Sequence, residues 1–505
     1  MTYLTVPILV NSIPKAKDDI AQALAAHAEM LELRLDYLSN PSVQDVEAVV
    51  HIARKSSLPI IATCRPQTEG GHYTGPEEQR QNLLNHALKA GADFVDIELA
   101  SLAYKPPDLT NKQSIVSHHD FDKLPSNIND ILKDIKKTKP AVAKIAYQPQ
   151  RISDCFPALD IIKENKNVIS LAMGDLGVMT RLLAKKLGAF LTFASLSPGS
   201  ESAPSQITIK DMKQLYRWDA LDSKTRLYGV IGYPIAHSLS PTLHNAAFSD
   251  IGYNGLYLPF LVEPTWEEFK NFMDGILQRK WLHLRGLSVT IPHKVHALEY
   301  VLARHGGIGK LAQRIGSVNT LIFEENGRLS GFNTDYTGAM DAIMHSLDIK
   351  RTQLSSLSTA VIGAGGVARA LVAGLTDEGA EVTIYNRTAE KAQILAQEFG
   401  CKWRSLSDLK KLKHLDARVV INCTSIGMHP KVDETPLRSS LLRSDMVVFD
   451  TVYNPLQTKL LLQAKQAGAK TIDGMSMFIN QAAAQFELFT GKPAPRSTLR
   501  KAVLG

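Results

Sequence analysis

The chain has 505 residues, 44% hydrophobic and 21% charged, with a formal net charge of +7; it is too long for one ordinary domain and too apolar for a disordered or low-complexity chain. No apolar run approaches the roughly 18–20 residues of a membrane span. The start MTYLTVPILV has no basic segment, signal-length apolar core or small-residue cleavage site, so neither export nor organelle import is expected. Cys64, Cys155, Cys401 and Cys423 are widely separated with no C-x-x-C pair. That pattern argues for reduced thiols in a cytoplasmic protein, and against disulfides or a zinc site. The positive charge admits acidic partners. No dense Lys/Arg run carries interleaved aromatics, however, and KDIKKTKP (Lys133–Pro140) reads as a solvated helix end. No nucleic-acid partner is expected.

The first elements are short apolar, β-branched runs separated by amphipathic stretches. They are LTVPIL (4–9), MLELRLD (30–36), PIIATCR (59–65), FVDIEL (94–99), SIVSHHD (114–120), AVAKIAY (141–147), NVISLAM (167–173) and LTFASL (191–196). Their spacing is that of βα units, and eight such units make a (β/α)8 TIM barrel within an α/β chain. In that fold the chemistry lies at the C-terminal ends of the strands. Glu32 and Arg34 end the second strand, and Arg65 closes the third, with Glu69 in the loop that follows. His118 and His119 finish the fifth, Lys144 lies within the sixth, Arg181 opens the helix after the seventh, and SPGSESAPSQ follows the eighth.

Lys144 is the one charge in an otherwise apolar strand. Near other cations and poorly solvated, such an amine becomes a nucleophile able to form a Schiff base with a ketone. A lysine reaching the barrel rim, or paired with Glu98, is the structural alternative. His119 is the natural acid/base beside it. Three arginines with no obvious matching carboxylates suggest an anionic substrate.

The motifs ELRLD, TCRPQTEGG, SHHDF, AKIA, TR and SAPSQ resemble type I 3-dehydroquinate dehydratase over nearly all of residues 1–215. The resemblance implies that Lys144 is the Schiff-base lysine, His119 the general acid/base and Glu69 its orienting carboxylate. Glu32, Arg34, Arg65, Arg181, Ser202 and Gln206 would contact the substrate's hydroxyls and carboxylate. The doubled histidine departs locally from that pattern, but alternate strand residues face opposite ways, which separates His118 from His119.

After a polar connector at 216–226 the pattern changes. AHSLSP sets Ser238 and Ser240 on a turn, SVTIPHK ends in Lys294, GSVNTL contains Asn319 and GFNTDYTG contains Asp335. Singly these are turn residues or a surface ion pair; beside a nicotinamide, lysine and aspartate can pass a proton to or from a hydroxyl. STAVIGAGGVARALVAGL (358–375) is a strand, a glycine-rich turn and a helix, with Gly363, Gly365 and Ala368 in G-x-G-x-x-G/A spacing. The turn Gly363, Ala364, Gly365, Gly366, Val367 and Ala368 would face a pyrophosphate at the helix N-terminus. The next strand ends in Asn386, Arg387 and Thr388, with no carboxylate before Glu390. That end favours NADP(H) over NAD(H), because Arg387 can pair with a 2′-phosphate.

GYPIAHSLSP, VTIPHK, GSVNTL, GFNTD, GAGG, NRT, NCTSIGM, DTVYNP and DGMSMFINQAA resemble shikimate dehydrogenase across residues 226–505. By match, Lys294 and Asp335 are its catalytic pair. Ser238, Ser240, Thr290, Asn319, Tyr453 and Gln481 would hold ring hydroxyls and carboxylate, with Gly474 and Met477 beside the nicotinamide. The whole chain thus looks like a fused dehydratase and dehydrogenase acting on 3-dehydroquinate, 3-dehydroshikimate and shikimate, without a metal. The implied domains are a barrel (1–215), a linker (216–226), a substrate domain (227–338), a Rossmann domain (339–476) and C-terminal helices folding back on the substrate domain (477–505). A monomer is compatible with two activities on one chain, and neither nucleic acid nor membrane is an expected partner.

Overall fold

The computed structural model describes residues 2–103, 113–236, 238–409 and 411–504. Its first eight strands are β1 (Tyr3–Leu9), β2 (Met30–Arg34), β3 (Ile60–Thr63), β4 (Phe94–Glu98), β5 (Ser114–Asp120), β6 (Val142–Tyr147), β7 (Val168–Ala172) and β8 (Leu191–Phe193). All pair in parallel, in the order β7-β6-β5-β4-β3-β2-β1-β8. Phe190 N–H donates to Val168 O across the seam between β8 and β7, so the sheet curls into a nearly closed barrel. Every strand read from the sequence is present. Several stop before their apolar run does, because the chain turns out of the sheet at the barrel mouth.

Register explains where the charges go. Glu32 is level with Ile61, Thr63 with Asp96, Glu98 with Ser117, and Ser117 with Lys144. Since alternate residues share a face, these groups all point into the barrel. Lower in the interior the same faces carry Met30, Ile61, Ile115, Val142, Ile169 and Leu191, which pack together with Phe193. Each such side chain contributes roughly 1.5–3 kcal/mol by leaving water. The polar layer above them gains nothing of that kind and must be offset by mutual pairing. The outward faces, including Leu31, Leu33, Val95, Ile97 and Ile145, are also buried, as expected for strands covered by helices.

By its internal contacts the chain forms two units, residues 1–241 with 252–284, and residues 242–251 with 285–505. The first holds the barrel and a parallel pair, β9 (Arg226–Gly232) and β10 (Gly255–Leu261), followed by the helix Trp266–Gln278. That helix is fastened to the barrel helix Phe156–Glu164. Phe272 stacks on Phe156 with centroids 5.9 Å apart. Arg279 grips the Asp160 carboxylate, Nε to Oδ1 at 2.8 Å with Nη2 on Oδ2, and lies 4.3 Å over the Phe156 ring.

In the second unit, β11 (Leu284–Val289), β12 (Gly307–Ile308), β13 (Thr320–Phe323) and β14 (Leu329–Phe332) form antiparallel pairs β11–β13 and β13–β14, with β12 parallel to β14. Then come β15 (Ser358–Ile362), β16 (Glu381–Asn386), β17 (Lys402–Ser405), β18 (Val419–Asn422), β19 (Val447–Asp450) and β20 (Lys470–Ile472). They are all parallel, in the order β17-β16-β15-β18-β19-β20. This is the doubly wound Rossmann order, whose ligand crevice lies where β15 meets β18. The sheet is apolar on both faces: Val361 and Ile421 pack in one core, Ile362 and Val420 in the other. The helix Gly474–Thr490 returns along the helix Asp335–Leu347, where Asn480 Nδ2 donates to Gly338 O at 3.4 Å. No described helix is long and apolar enough to cross a membrane.

Candidate active sites

Lys144 is 5% exposed, at the heart of the barrel mouth. Its Nζ donates to Asp96 Oδ2 at 2.7 Å and stands 5.1 Å from the Phe193 ring centroid. Arg34, Arg65 and Arg181 line the same cavity as Lys144, but its nearest charge is a carboxylate. That carboxylate is Asp96, and Glu98, the partner considered from sequence, pairs elsewhere. Arg65 Nη2 lies 2.9 Å from Asp96 and its Nη1 bonds Glu98, while Arg80 Nη2 lies 2.8 Å from Glu98 and 2.7 Å from Glu77. Cation and anion thus alternate from Glu77 through Arg80, Glu98, Arg65 and Asp96 to Lys144. Burial alone would raise the Asp96 carboxyl, but Arg65 and Lys144 hold it well below the usual range.

The expectation of three arginines without carboxylates is corrected for two. Arg34 forks onto Asp36, with Nε to Oδ1 at 2.9 Å and Nη2 to Oδ2 at 2.8 Å, and Arg65 is doubly paired. Arg181 remains. It is 2% exposed, and among the described residues neither its Nε nor its Nη1 has a hydrogen-bond partner. Burial pushes its guanidinium down to about 10. A desolvated cation facing a cavity is an anion site awaiting its anion.

His119 Nδ1 lies 2.9 Å from Glu69 Oε2. Burial, then Arg65 and Lys144, hold the imidazole well below its ordinary value, and burial pushes the Glu69 carboxyl up to about 7. His118 is level with Ile145 on the opposite face of the strand, so the two histidines diverge. Glu32 accepts from Thr63 Oγ1 at 2.9 Å. Gln206 Nε2 donates to Ser202 Oγ at 3.0 Å, and Ser202 N–H returns to Gln206 Oε1 at 3.1 Å. All nine residues assigned to the barrel site from sequence line one cavity of about 130 Å³.

Asp96, Asp36 and Arg80 join this site without having been singled out, and Glu98 joins it as the partner of Arg65 and Arg80. A signal for two of them was present: Asp96 and Glu98 stand two apart in a strand otherwise apolar, which puts both on one face and demands cations opposite.

In the second unit Lys294 and Asp335 are the first residues of their helices, and Lys294 Nζ bonds Asp335 Oδ2. Asn319 Nδ2 donates to Asp335 Oδ1 at 2.9 Å, and Thr334 N–H donates to Asn319 Oδ1 at 2.9 Å. Gln485, unremarked in the sequence, steadies this loop through Asn319 O at 3.2 Å and Thr320 Oγ1 at 3.0 Å. Thr290 is half-buried, and its carbonyl accepts from His293 N–H at 2.9 Å. Gln481 is nearly buried and donates to Phe478 O, while the half-exposed Tyr453 ring stacks on Phe478. Gly474 abuts the backbone of Val452, and Met477 is in the Rossmann core. Ser238 and Ser240 belong to the first unit, where Ser240 N–H donates to Ser238 Oγ at 3.3 Å.

At the glycine-rich turn, Gly363 has φ +118°, and a Cβ there would come within 2.9 Å of Cys423 O. Gly365 caps the helix Gly366–Asp377, Ala364 and Val367 are half-buried, and Ala368 is fully buried against the sheet. A Cβ on Gly365 or Gly366 would meet nothing within 4 Å, so there is open space beside the turn. Asn386 Nδ2 donates to Thr388 O at 2.8 Å. Arg387 is exposed and takes no part in the hydrogen bonds or ion pairs among the described residues. A helix N-terminus with open space beside it, an exposed guanidinium and no acid at the next strand end fit a 2′-phosphorylated dinucleotide.

Residues 4–223 match the family model of type I 3-dehydroquinase. Residues 230–321 match the shikimate dehydrogenase substrate binding domain, 346–455 shikimate / quinate 5-dehydrogenase, and 474–504 the shikimate 5′-dehydrogenase C-terminal domain. The chain is 37% identical over 515 residues to the bifunctional 3-dehydroquinate dehydratase/shikimate dehydrogenase, chloroplastic, of Arabidopsis thaliana, covering 98% of this chain and 83% of that protein. It is 41% identical over 286 residues to the shikimate dehydrogenase (NADP(+)) of Methanosarcina acetivorans, covering 55% and 98%. A crystal structure of a shikimate dehydrogenase in complex with NADP+ aligns at a TM-score of 0.50 and 40% identity, covering 56% of this chain and 96% of that one.

Proposed function

The chain belongs to the bifunctional 3-dehydroquinate dehydratase/shikimate dehydrogenase family, and from that premise we propose that it dehydrates 3-dehydroquinate in the barrel and reduces the product, 3-dehydroshikimate, to shikimate in the second half with NADPH. The observation that carries the first step is the meeting, in one cavity, of a buried lysine, a histidine–carboxylate pair and a buried guanidinium with unsatisfied donors.

Arg181 pairs with the substrate carboxylate. Lys144 passes one proton to His119 and attacks the ketone; a C=N bond forms, and the ketone oxygen leaves as water with that proton and a second one from the nitrogen, which keeps its third as an iminium. Asp96 then faces the iminium charge. His119 removes a proton from the adjacent carbon, and the electron pair moves toward the iminium nitrogen. As it returns, the β-hydroxyl departs with the proton from His119, and hydrolysis of C=N frees Lys144 and an enone.

For the second step, backbone amides of Gly363–Ala368 and the side chains of Asn386, Arg387 and Thr388 hold the dinucleotide, with Gly474 and Met477 beside the nicotinamide. When bound, NADPH supplies a hydride. Lys294 donates the proton that the new hydroxyl needs, Asp335 orients Lys294, and Asn319 fixes Asp335. Ser238, Ser240, Thr290, Asn319, Tyr453 and Gln481 hold the ring hydroxyls and carboxylate. The domains are proposed at 1–215, 227–338, 339–476 and 477–505, around a linker at 216–226, and the compartment as the reducing cytoplasm, in keeping with free Cys64, Cys155, Cys401 and Cys423.

Incubation with 3-dehydroquinate and NADPH is expected to yield shikimate; borohydride with 3-dehydroquinate alone is expected to leave a mass adduct at Lys144. Absence of both products rejects this assignment. Arg387→Asp is expected to lower kcat/KM with NADPH about 10- to 100-fold, the loss of one charge-assisted bond of about 1.5–3 kcal/mol, while sparing NADH. Steady-state comparison of the two cofactors measures this, and an unchanged NADPH preference removes Arg387 from the 2′-phosphate site.

A further inference from the structure

Phe121 sits just beyond β5 and is 45% exposed, so core packing does not explain an aromatic ring there. One side of it faces His119: the rings are nearly parallel, 15° apart in plane, with centroids separated by 6.1 Å. Its rim rests on Gly70, where a Cβ would come within 2.3 Å of Cζ and 2.8 Å of both Cε atoms. Gly70 has φ +74° and ends the turn Gln67–Glu69, which carries the carboxylate paired with His119. Phe121 and Gly70 both line the barrel cavity. The ring therefore bridges the imidazole and the loop bearing its carboxylate, and the glycine lets it come that close. The paired side chains are only 9% and 13% exposed for His119 and Glu69.

We propose that Phe121, seated on Gly70, is a positioning residue that caps the Glu69–His119 pair and keeps bulk water away from it. The inference rests on His119 being the acid/base of the dehydration.

The charged groups around His119 are Glu69 from the capped loop, Arg65 beyond β3, Asp96 from β4, Lys144 from β6 and the adjacent His118. Burial is the largest influence on the imidazole; Arg65, Lys144 and His118 add to it, and Asp96 opposes. Removing the Phe121 ring deletes none of these charges. It admits water, which favours the charged imidazolium and the charged carboxylate. Both changes raise the pH at which His119 gives up its proton. Since His119 must be neutral to act as a base, the acid limb of kcat/KM should move to higher pH.

The test is the pH profile of dehydration for the full-length protein and Phe121→Ala. An upward move of the acid limb by about one unit is expected, within the range that hydrating a buried group produces, with Phe121→Tyr retaining the parent limb. Gly70→Ala, whose Cβ would push the ring aside, should move the limb the same way, and the double variant no further. Lower turnover at every pH with the limb unmoved reduces Phe121 to a cavity wall and overturns the proposal. NMR titration of the His119 ring in the parent and Phe121→Ala gives a reading independent of turnover. An inactive parent that traps no imine with borohydride sinks the assignment of the barrel site, whereas an unshifted ring titration sinks the cap alone.

Discussion

Alanine in place of Lys144 is expected to abolish dehydration, by about four orders of magnitude or more, the scale on which loss of a covalent nucleophile acts. Reduction of added 3-dehydroshikimate should continue at the parent rate. No neighbouring amine can substitute: no other lysine is among the described residues lining the cavity, and Arg65 is committed to Asp96 and Glu98. Borohydride trapping should lose its adduct together with the activity. The change also leaves Asp96 with one cation fewer, and removing one partner of a buried pair can cost about 3–5 kcal/mol. Arg65 still faces Asp96, so the full penalty is not expected. Lys144→Met keeps the bulk of the side chain, and the reductase activity reports on folding in the same tube. Dehydration within a hundredfold of the parent would reject the imine route.

Lys294→Ala should lower the reduction about 10²–10⁴-fold, the usual contribution of a positioned proton donor, with dehydration untouched. Lys294 and Asp335 keep side-chain exposures of 18% and 12%, so the pair opens to substrate yet is held by Asn319. If they were only an ion pair, their loss would change stability by under about 1 kcal/mol and leave turnover intact. Steady-state kinetics beside a melting curve separates these cases: kcat should collapse with KM and Tm little changed. Asp335→Asn should follow, and the double variant should be no worse than the poorer single one, since the two act as a unit.

Much of this was legible in local patterns. The eight barrel strands announce themselves because each must be apolar on both faces, and a lone lysine in such a run marks the site. The glycine turn and the acid-free end of the next strand are equally local. The partners of the charges were harder to see. Arg65 meets Asp96 and Glu98, and Arg80 meets Glu98, only because neighbouring strands and helices bring them level, and one sequence does not print that register. Among the three arginines of the barrel mouth, Arg181 stands out as unpaired only once Arg34 and Arg65 have been matched. Gln485 looks like any polar residue in a helix until the helix is seen to reach Asn319. Phe121 closes the motif SHHDF without a role of its own in the sequence, and its place over Gly70 depends on a loop some fifty residues earlier in the chain.

The grip of Arg279 on Asp160, with Phe272 against Phe156, makes the dehydratase hard to lend out alone. Trimming the gene after residue 215 would strip a ring of its cover and a carboxylate of its partner, giving a half with a tacky cheek. Conversely, a lesion at Phe272, outside the dehydratase-like segment, would be felt by the enzyme upstream. Heredity would then treat the two steps as one trait, joined by shared folding as much as by a shared messenger.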